Sequence, residues 1–122
     1  MAKNTLKAPV CYIEIPAPDL KKAETFYSSV FGWDVRSSDL SGQPYSSWST
    51  SKEQGGGFDP NLSVKDGGVL FYLEVDDIPA ALKTIEDCKG AVIQKKMNLG
   101  EHGFIATFKD PNGNRVGLWS RK

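Results

Sequence analysis

Hydrophobic and polar residues follow two different periods along this chain, and these periods predict its strands and helices. Apolar and polar residues alternate over residues 10–15, which is typical of a strand that packs one face on a core. Apolar residues then recur every three or four positions, which predicts an amphipathic helix between a cap at Asp19 and a stop at Gly32. The apolar residues of the strand should face this helix, so Tyr12 and Glu14 should point to the opposite side.

The same order returns about 60 residues later. Asp19 and Gly32 lie thirteen residues apart, and so do Asp77 and Gly90, so an offset of 58 residues superimposes the two segments between these marks. Two copies that fill a chain of 122 residues indicate one repeated supersecondary unit. The alternative is a chance similarity between two amphipathic strand–helix segments.

The strand of the second copy is expected to have the same two faces as the first. Leu70, Tyr72 and Glu74 should point away from the second helix, and Glu74 takes the place that Glu14 has in the first copy. Short strands separated by turn residues follow each helix, and the Asp110–Gly113 segment is a strong hairpin signal because Asn-Gly tolerates positive φ.

These elements predict an α+β fold in a single domain covering 1–122, with βαβββ modules at about 9–60 and 68–122. The two modules should form a curved mixed sheet around a cup-shaped cleft, with the helices outside. Whether the cup forms within one chain or by exchange between two chains stays open.

Composition narrows the classes of partner and compartment. Fifteen basic residues balance fifteen acidic ones and no Lys/Arg run exceeds two, so we expect no nucleic-acid partner. The N-terminus lacks the apolar stretch of a signal peptide and no segment is long enough to span a bilayer, so we expect a cytoplasmic protein without membrane contact. Cys11 and Cys88 have no CxxC spacing and are expected to be buried thiols rather than a disulfide or metal pair.

Three stretches together resemble the vicinal oxygen chelate superfamily, which includes glyoxalase I, the extradiol dioxygenases and the bleomycin-binding resistance proteins. They are YIEIPAPDLKKAETFYSSVFGW, VDDIPAALKTIEDCKGAVI and FKDPNGNRVGLW. The ending GFIATFKDPNGNRVGLW is most similar to a branch of small, poorly characterised glyoxalase-related proteins. The resemblance implies paired βαβββ modules, a cup-shaped cleft and a homodimer.

The resemblance also implies where a metal would bind. In metal-bearing members four inward side chains, usually His, Glu or Gln, hold a divalent cation; here the first position falls on Tyr12, the third on Leu70 and the fourth on Gly117. The second falls within Gly55–Gly57, which we interpret as a glycine bulge that allows close backbone approach. Leu and Gly offer no side-chain donor and Tyr is a poor substitute for imidazole, so neither a metal nor another cofactor is predicted.

Strand parity and the repeat then predict which residues line the cleft. The carboxylates of Glu14 and Glu74 are equivalent in the repeat and would repel each other if they were close together. One of them could then accept a proton or bind a cationic group of a ligand. The alternative for these acids is solvation or an ion pair, and the alternative for the aromatic residues is the core. The predicted ligand-binding residues are Tyr12, Glu14, Trp48, Leu70, Tyr72, Glu74, Phe104 and Trp119. No catalytic residue is assigned, and the loop residue His102 is either an acid–base group or simply exposed.

The function predicted from these residues is binding of a small molecule without a metal, with sequestration of an aromatic or cationic compound. The alternative is an enzyme: a glyoxalase-like isomerase, lyase or dioxygenase, related to lactoylglutathione lyase, whose divalent metal is held by unconventional donors such as Glu14 and Glu74. A third alternative is a module that serves only dimerisation. The identity of the ligand is not readable from the sequence.

Overall fold

A computed structural model of the chain describes residues 7–40, 42–50 and 54–122. The elements are β1 (Val10–Pro16), α1 (Leu20–Phe31), β2 (Asp34–Leu40), β3 (Gln43–Ser49), β4 (Gly55–Asp59), β5 (Leu70–Glu74), α2 (Ile78–Asp87), β6 (Ala91–Asn98), β7 (Phe104–Lys109) and β8 (Arg115–Ser120). Short 3₁₀ turns occupy Val64–Asp66 and Gly100–His102. The βαβββ order therefore occurs twice, and the predicted α+β class is confirmed.

Both helices begin at the predicted aspartates. An Asp19 side-chain oxygen accepts a hydrogen bond from the backbone N–H of Lys22 at 3.1 Å, and Asp77 does the same for Ala80 at 3.0 Å. Helix α1 ends at Gly32, whose φ of 70° is the left-handed conformation that glycine adopts without strain. The local signals therefore fix where each helix starts and where α1 stops.

The chain forms two compact units, and the first comprises Tyr12–Leu70. Its strands lie in the order β2-β3-β4-β1, with β1 parallel to β4 and the other pairs antiparallel. Its core contains Ala17, Trp48 and Phe58, against which pack Ile13, Ile15, Leu20, Ala23, Tyr27, Trp33 and Val35. The prediction that Ile13 and Ile15 face the first helix is thus confirmed, and Tyr12 and Glu14 belong to the other face of the strand.

The second unit comprises Phe71–Lys122 together with the N-terminal segment up to Cys11. Its strands lie in the order β5-β8-β7-β6, with β5 parallel to β8 and the remaining pairs antiparallel. Its core, on the α2 side, contains Val75, Ile78, Ala81, Leu82, Ala106, Phe108, Val116 and Leu118. Because strand side chains alternate, Arg115, Gly117 and Trp119 of β8 lie on the face opposite α2.

The two cysteines differ from the prediction in their burial. Cys11 is half-buried and Cys88 is exposed, so the expected burial of Cys88 is wrong; it caps the end of α2, where the helix meets solvent. Burial, reinforced by the charge of Glu74, raises the pKa of the Cys11 thiol. Within the described part of the chain, neither helix has the length and apolar character needed to cross a membrane.

Candidate functional site

A short chain of hydrogen bonds lies on the face of the first unit opposite α1. The Tyr45 hydroxyl donates to Oε2 of Glu14 at 2.8 Å, and the Tyr12 and Tyr45 hydroxyl oxygens are 2.6 Å apart. A phenol has one proton, so Tyr12 is the donor to Tyr45 when Tyr45 donates to Glu14. Glu14 and Tyr45 are each only 8% exposed, so this carboxylate is held in the interior by a two-phenol relay.

The glycines of β4 make this relay sterically possible. Strand β4 lies between β1 and β3, and Gly57 is level with Glu14 on one side and with Ser47 on the other. A Cβ atom on Gly57 would overlap the Tyr45 hydroxyl and would lie 2.7 Å from the Tyr12 hydroxyl. The side chains of β1 and β3 therefore meet across a strand that has no side chain at this point.

The pairing of β4 corrects the predicted glycine bulge. Residues 46–49 of β3 pair with residues 55–58 of β4 without a break in register. Close approach does occur, because a Cβ atom on Gly56 would overlap the carbonyl oxygen of Ile13. The glycines therefore allow close packing across a regular strand and leave its pairing undisturbed.

Burial and charge keep both phenols protonated. Burial raises the pKa of Tyr45 far above its ordinary value, and the nearby Glu14 carboxylate raises it further. Burial also raises the pKa of Tyr12, against the hydrogen bond with Tyr45, which lowers it. Both residues thus act as neutral hydrogen-bond donors near neutral pH.

Sequence reasoning missed Tyr45, although it is the central member of the relay. It lies 31 residues from Glu14 and 33 from Tyr12 in the sequence, and only the strand order brings the three together. The signal that could have found it is the run of three glycines in β4. A strand without side chains allows the residues of its two neighbours to reach each other.

A second polar cluster lies on the α1 side of the same unit. The Glu24 carboxylate accepts hydrogen bonds from the hydroxyls of Ser46 and Ser37, the latter at 2.9 Å, and lies 3.6 Å from the Lys21 ammonium. The hydrogen bond from Ser46 is the largest cause that lowers the pKa of Glu24. The cluster borders a pocket of about 300 Å³ and ties α1 to β2 and β3.

In the second unit, two of the predicted residues lie on the face opposite α2. The Tyr72 ring lies over Gly117, where a Cβ atom would be 2.5 Å from its Cε2 atom. The Trp119 indole N–H donates to the carbonyl oxygen of His102 at 2.7 Å, and the Arg121 guanidinium lies 5.6 Å from the Trp119 ring. The parity predicted for Tyr72 and Trp119 therefore matches their position.

Trp48 and Phe104 lie on the other face of their strands, so their predicted place beside Tyr12 and Tyr72 is wrong. Trp48 is 4% exposed in the core under α1, where it stacks on Trp33 at 4.1 Å between ring centroids. Phe104 packs on the α2 core, with the Lys96 ammonium 4.4 Å from its ring. Trp48 and Phe104 each lie on the helix-facing side of their strand, and their neighbours in sequence point to the opposite face.

The remaining predicted residues have the following places. Leu70 is buried in the first unit and Glu74 is half-buried in the second, where its backbone N–H donates to the Pro9 carbonyl at 2.9 Å. The side chain of His102 is 53% exposed and lies 3.9 Å from the Glu101 carboxylate. The described contribution of His102 to this face is its carbonyl oxygen, which accepts from Trp119.

Among the positions at which the resemblance places metal ligands, only Tyr12 has a side chain with a donor atom. The first is Tyr12, whose hydroxyl is bonded to Tyr45; Gly55 and Gly57 share its face of the sheet and have no donor; the others are Leu70 and Gly117. Over residues 7–40, 42–50 and 54–122, no group of three or more His, Cys, Asp or Glu residues is arranged to hold a metal ion.

Comparison with known proteins gives the family. The chain is 29% identical over 123 residues to a glyoxylase-like domain-containing protein of Didymella fabae, covering 95% of this chain and 96% of that one. It is 26% identical to a putative glyoxylase, CFP32, of Mycobacterium bovis, covering 88% of this chain but only 44% of that relative. The fold is similar to that of a hypothetical protein from Bacillus halodurans C-125, with a TM-score of 0.75 at 12% identity over 95% of this chain and 96% of that one. The glyoxalase/bleomycin resistance protein/dioxygenase profile matches residues 10–118, and the chain therefore belongs to this superfamily.

Proposed function

We propose that this chain binds a small aromatic or cationic organic molecule without a metal, on the face of the first unit that carries the Tyr12–Tyr45–Glu14 relay. The observation that carries the proposal is the buried carboxylate of Glu14, hydrogen-bonded by Tyr45 at 2.8 Å. A negative charge in a low-dielectric site interacts strongly with a cationic group or a hydrogen-bond donor. The ring of Tyr12 adds an aromatic wall beside it.

The protonation of the relay supports binding without a metal. A phenol coordinates a cation well only as phenolate, and the pKa values of Tyr12 and Tyr45 are raised in the absence of a cation, so a metal would have to displace both phenol protons. The carboxylate of Glu14 would then be the only charged donor in the relay. One carboxylate is a weak site for a divalent cation in water, because such sites use several charged or imidazole ligands.

The second candidate is a metal-dependent isomerase, lyase or dioxygenase with unconventional donors. The observation in its favour is that the relay brings three oxygen atoms together in one unit, with neighbouring oxygens 2.6 and 2.8 Å apart. Two relatives also carry glyoxylase in their names. A bound metal would have to compete with the protons that now link these oxygens.

Metal analysis separates the two candidates. Protein purified without chelator should contain no stoichiometric metal, and nickel, zinc, manganese or iron(II) should not raise its thermal midpoint, since any ligand of the native state must do so. A near-stoichiometric metal, with a shift of several degrees that Glu14→Gln abolishes, would replace the first candidate by the second.

A ligand screen tests the binding proposal itself. We expect hits among aromatic cations, and Glu14→Gln should weaken them at least tenfold because it removes the charge. Glu24→Gln is the matched control: it makes the same change in the same unit, at a carboxylate that is bound by hydroxyls on the α1 side. Equal affinities in wild type, Glu14→Gln and the combination of Glu14→Gln with Glu74→Gln would remove the acids from the proposal.

The predicted homodimer and cytoplasmic location remain predictions. The mass of the purified protein in solution, measured by light scattering on a sizing column at several concentrations, tests the dimer. A mass of one chain at all concentrations would contradict it.

A further inference from the structure

Arg115 in the second unit has a buried nitrogen that lacks a hydrogen bond. Its Nη2 atom is inaccessible to solvent and has no hydrogen-bond partner among the described residues, while the side chain as a whole is half-buried. Guanidinium N–H groups are obligatory donors that stay charged at any physiological pH. Buried donors of this kind are nearly always paired in folded proteins, so an unpaired one indicates a partner other than the described residues.

The strand next to Arg115 adds a second positive charge. Lys109 of β7 is the Cα partner of Arg115, and residues directly opposite each other in an antiparallel pair have side chains on the same face. The face is the one opposite α2, because the neighbouring residues Phe108 and Val116 belong to the α2 core. Two like charges directly opposite each other destabilise a strand pair unless an anion lies between or beside them.

The nearest acid in the sequence does not supply that anion. Asp110 follows Lys109 directly, but Oδ1 of Asp110 accepts from the backbone N–H groups of Asn112 and Asn114, and Oδ2 accepts from the Asn114 amide, all at 2.9 Å. These bonds hold the turn between β7 and β8. Arg115 and Lys109 have no ion pair with any carboxylate in the described parts of the chain.

We propose that Arg115 and Lys109 form a binding site for an anionic group, a carboxylate or a phosphate, on the face of the second unit opposite α2. The planar fork of Arg115 matches two oxygens of such a group, and Lys109 adds charge without fixed geometry. The Tyr72 ring lies over Gly117, which is two residues from Arg115 on the same face of β8, so the Cα atoms of these two β8 residues are about 7 Å apart. The organic acids that fit best therefore carry their anionic group next to a ring.

This site is independent of the relay in the first unit, so either proposal can fail alone. The probes are inorganic phosphate, benzoate and its neutral analogue benzamide, titrated by calorimetry and by thermal shift at constant ionic strength. We expect phosphate and benzoate to bind and to raise the midpoint, and benzamide to bind at least tenfold more weakly than benzoate.

Three variants identify the residue responsible. Arg115→Met removes both charge and fork and should weaken benzoate at least tenfold, while its midpoint without anion stays equal or rises by about 3–5 °C because an unpaired donor is gone. Arg115→Lys keeps the charge but loses the planar guanidinium, so its loss of affinity for benzoate measures the contribution of the two-pronged hydrogen bonding. Arg36→Met is the control, since Arg36 is exposed in the first unit and pairs with Asp34 at 3.3 Å.

Three results would overturn the proposal. The first is that neither phosphate nor benzoate binds to the wild type. The second is that Arg115→Met binds benzoate as the wild type does, and the third is that Arg36→Met loses as much affinity as Arg115→Met. A lower midpoint of Arg115→Met with unchanged affinity would assign the arginine a purely structural role.

Discussion

Replacing Tyr45 by Phe tests the relay most directly, because it removes one oxygen atom and leaves the ring. That oxygen donates to Glu14 at 2.8 Å and is bonded to Tyr12 at 2.6 Å. A hydrogen bond to a charged group contributes about 1.5–3 kcal/mol and a neutral one about 0.5–1.5 kcal/mol. Both hydrogen bonds are largely shielded from water, since Tyr45 is 8% exposed. Water therefore cannot replace the missing hydroxyl, and little of the lost free energy is recovered.

We therefore expect Tyr45→Phe to lower the free energy of unfolding by about 2–4.5 kcal/mol, or the thermal midpoint by roughly 8–18 °C for a domain of this size. Urea unfolding followed by tryptophan fluorescence measures it, with an unchanged m-value showing that the transition is comparable. Tyr12→Phe removes only the outer bond of the relay and should cost about 1 kcal/mol.

Tyr27→Phe is the matched control for this experiment. Tyr27 lies in the same unit and stacks on Trp33 at 4.8 Å, and its hydroxyl makes no hydrogen bond within the described residues. Its removal should change the free energy by less than about 0.5 kcal/mol. If Tyr45→Phe cost no more than Tyr27→Phe, the hydrogen bonds of the relay would not stabilise the fold, and the reasoning about Glu14 would be refuted.

Three further predictions concern the same unit. Gly57→Ala should destabilise the protein by about 1–3 kcal/mol because the added Cβ atom overlaps Tyr45. Gly55→Ala should cost less, because its Cβ atom would lie 3.1 Å from a carbonyl oxygen. Equal losses of stability in urea unfolding would contradict this steric argument. Tyr12 and Tyr45 have raised pKa values, so the folded state keeps phenol protons that the unfolded state releases above about pH 10. The free energy of unfolding should therefore fall as the pH rises past that value. It should fall less steeply in the double variant in which both tyrosines are replaced by Phe. Glu24→Gln should lower the free energy of unfolding by about 1.5–3 kcal/mol at pH 7, since the Glu24 side chain is 15% exposed. The difference from wild type should vanish as the pH falls below the ordinary pKa of 4.5 and then through the lowered pKa of folded Glu24. A loss of stability that persists at pH 3 would indicate a steric cause.

Local patterns were sufficient to predict the helices and the faces of the first strand of each unit. The alternation in β1 is unambiguous because Ile13 and Ile15 are purely apolar, and it places Tyr12 and Glu14 on the face opposite α1. The Asp and Gly positions that flank α1 are equally direct, because a cap and a stop depend on neighbours within four residues.

The faces of β3 and β7 could not be predicted, since the patterns of these two strands fit both choices. Strand β3 has aromatic residues at Tyr45 and Trp48, three positions apart, so one of them must face the helix and the other must not. Strand β7 is apolar on both sides, with Phe104 and Ile105 adjacent. The pairing partners decide in both cases, and these lie far away in the sequence.

Gly57 on β4 and Gly117 on β8 limit which substitutions this chain can accept. In the first unit the space above Gly57 is filled by two phenols, and in the second the space above Gly117 is filled by the ring of Tyr72. These are strands on which metal-bearing relatives would carry a donor. A histidine or glutamate introduced at either glycine would collide with a tyrosine that is already there. A larger side chain at either glycine would therefore need a smaller residue in place of the facing tyrosine, and a stepwise change at these positions would pass through destabilised proteins.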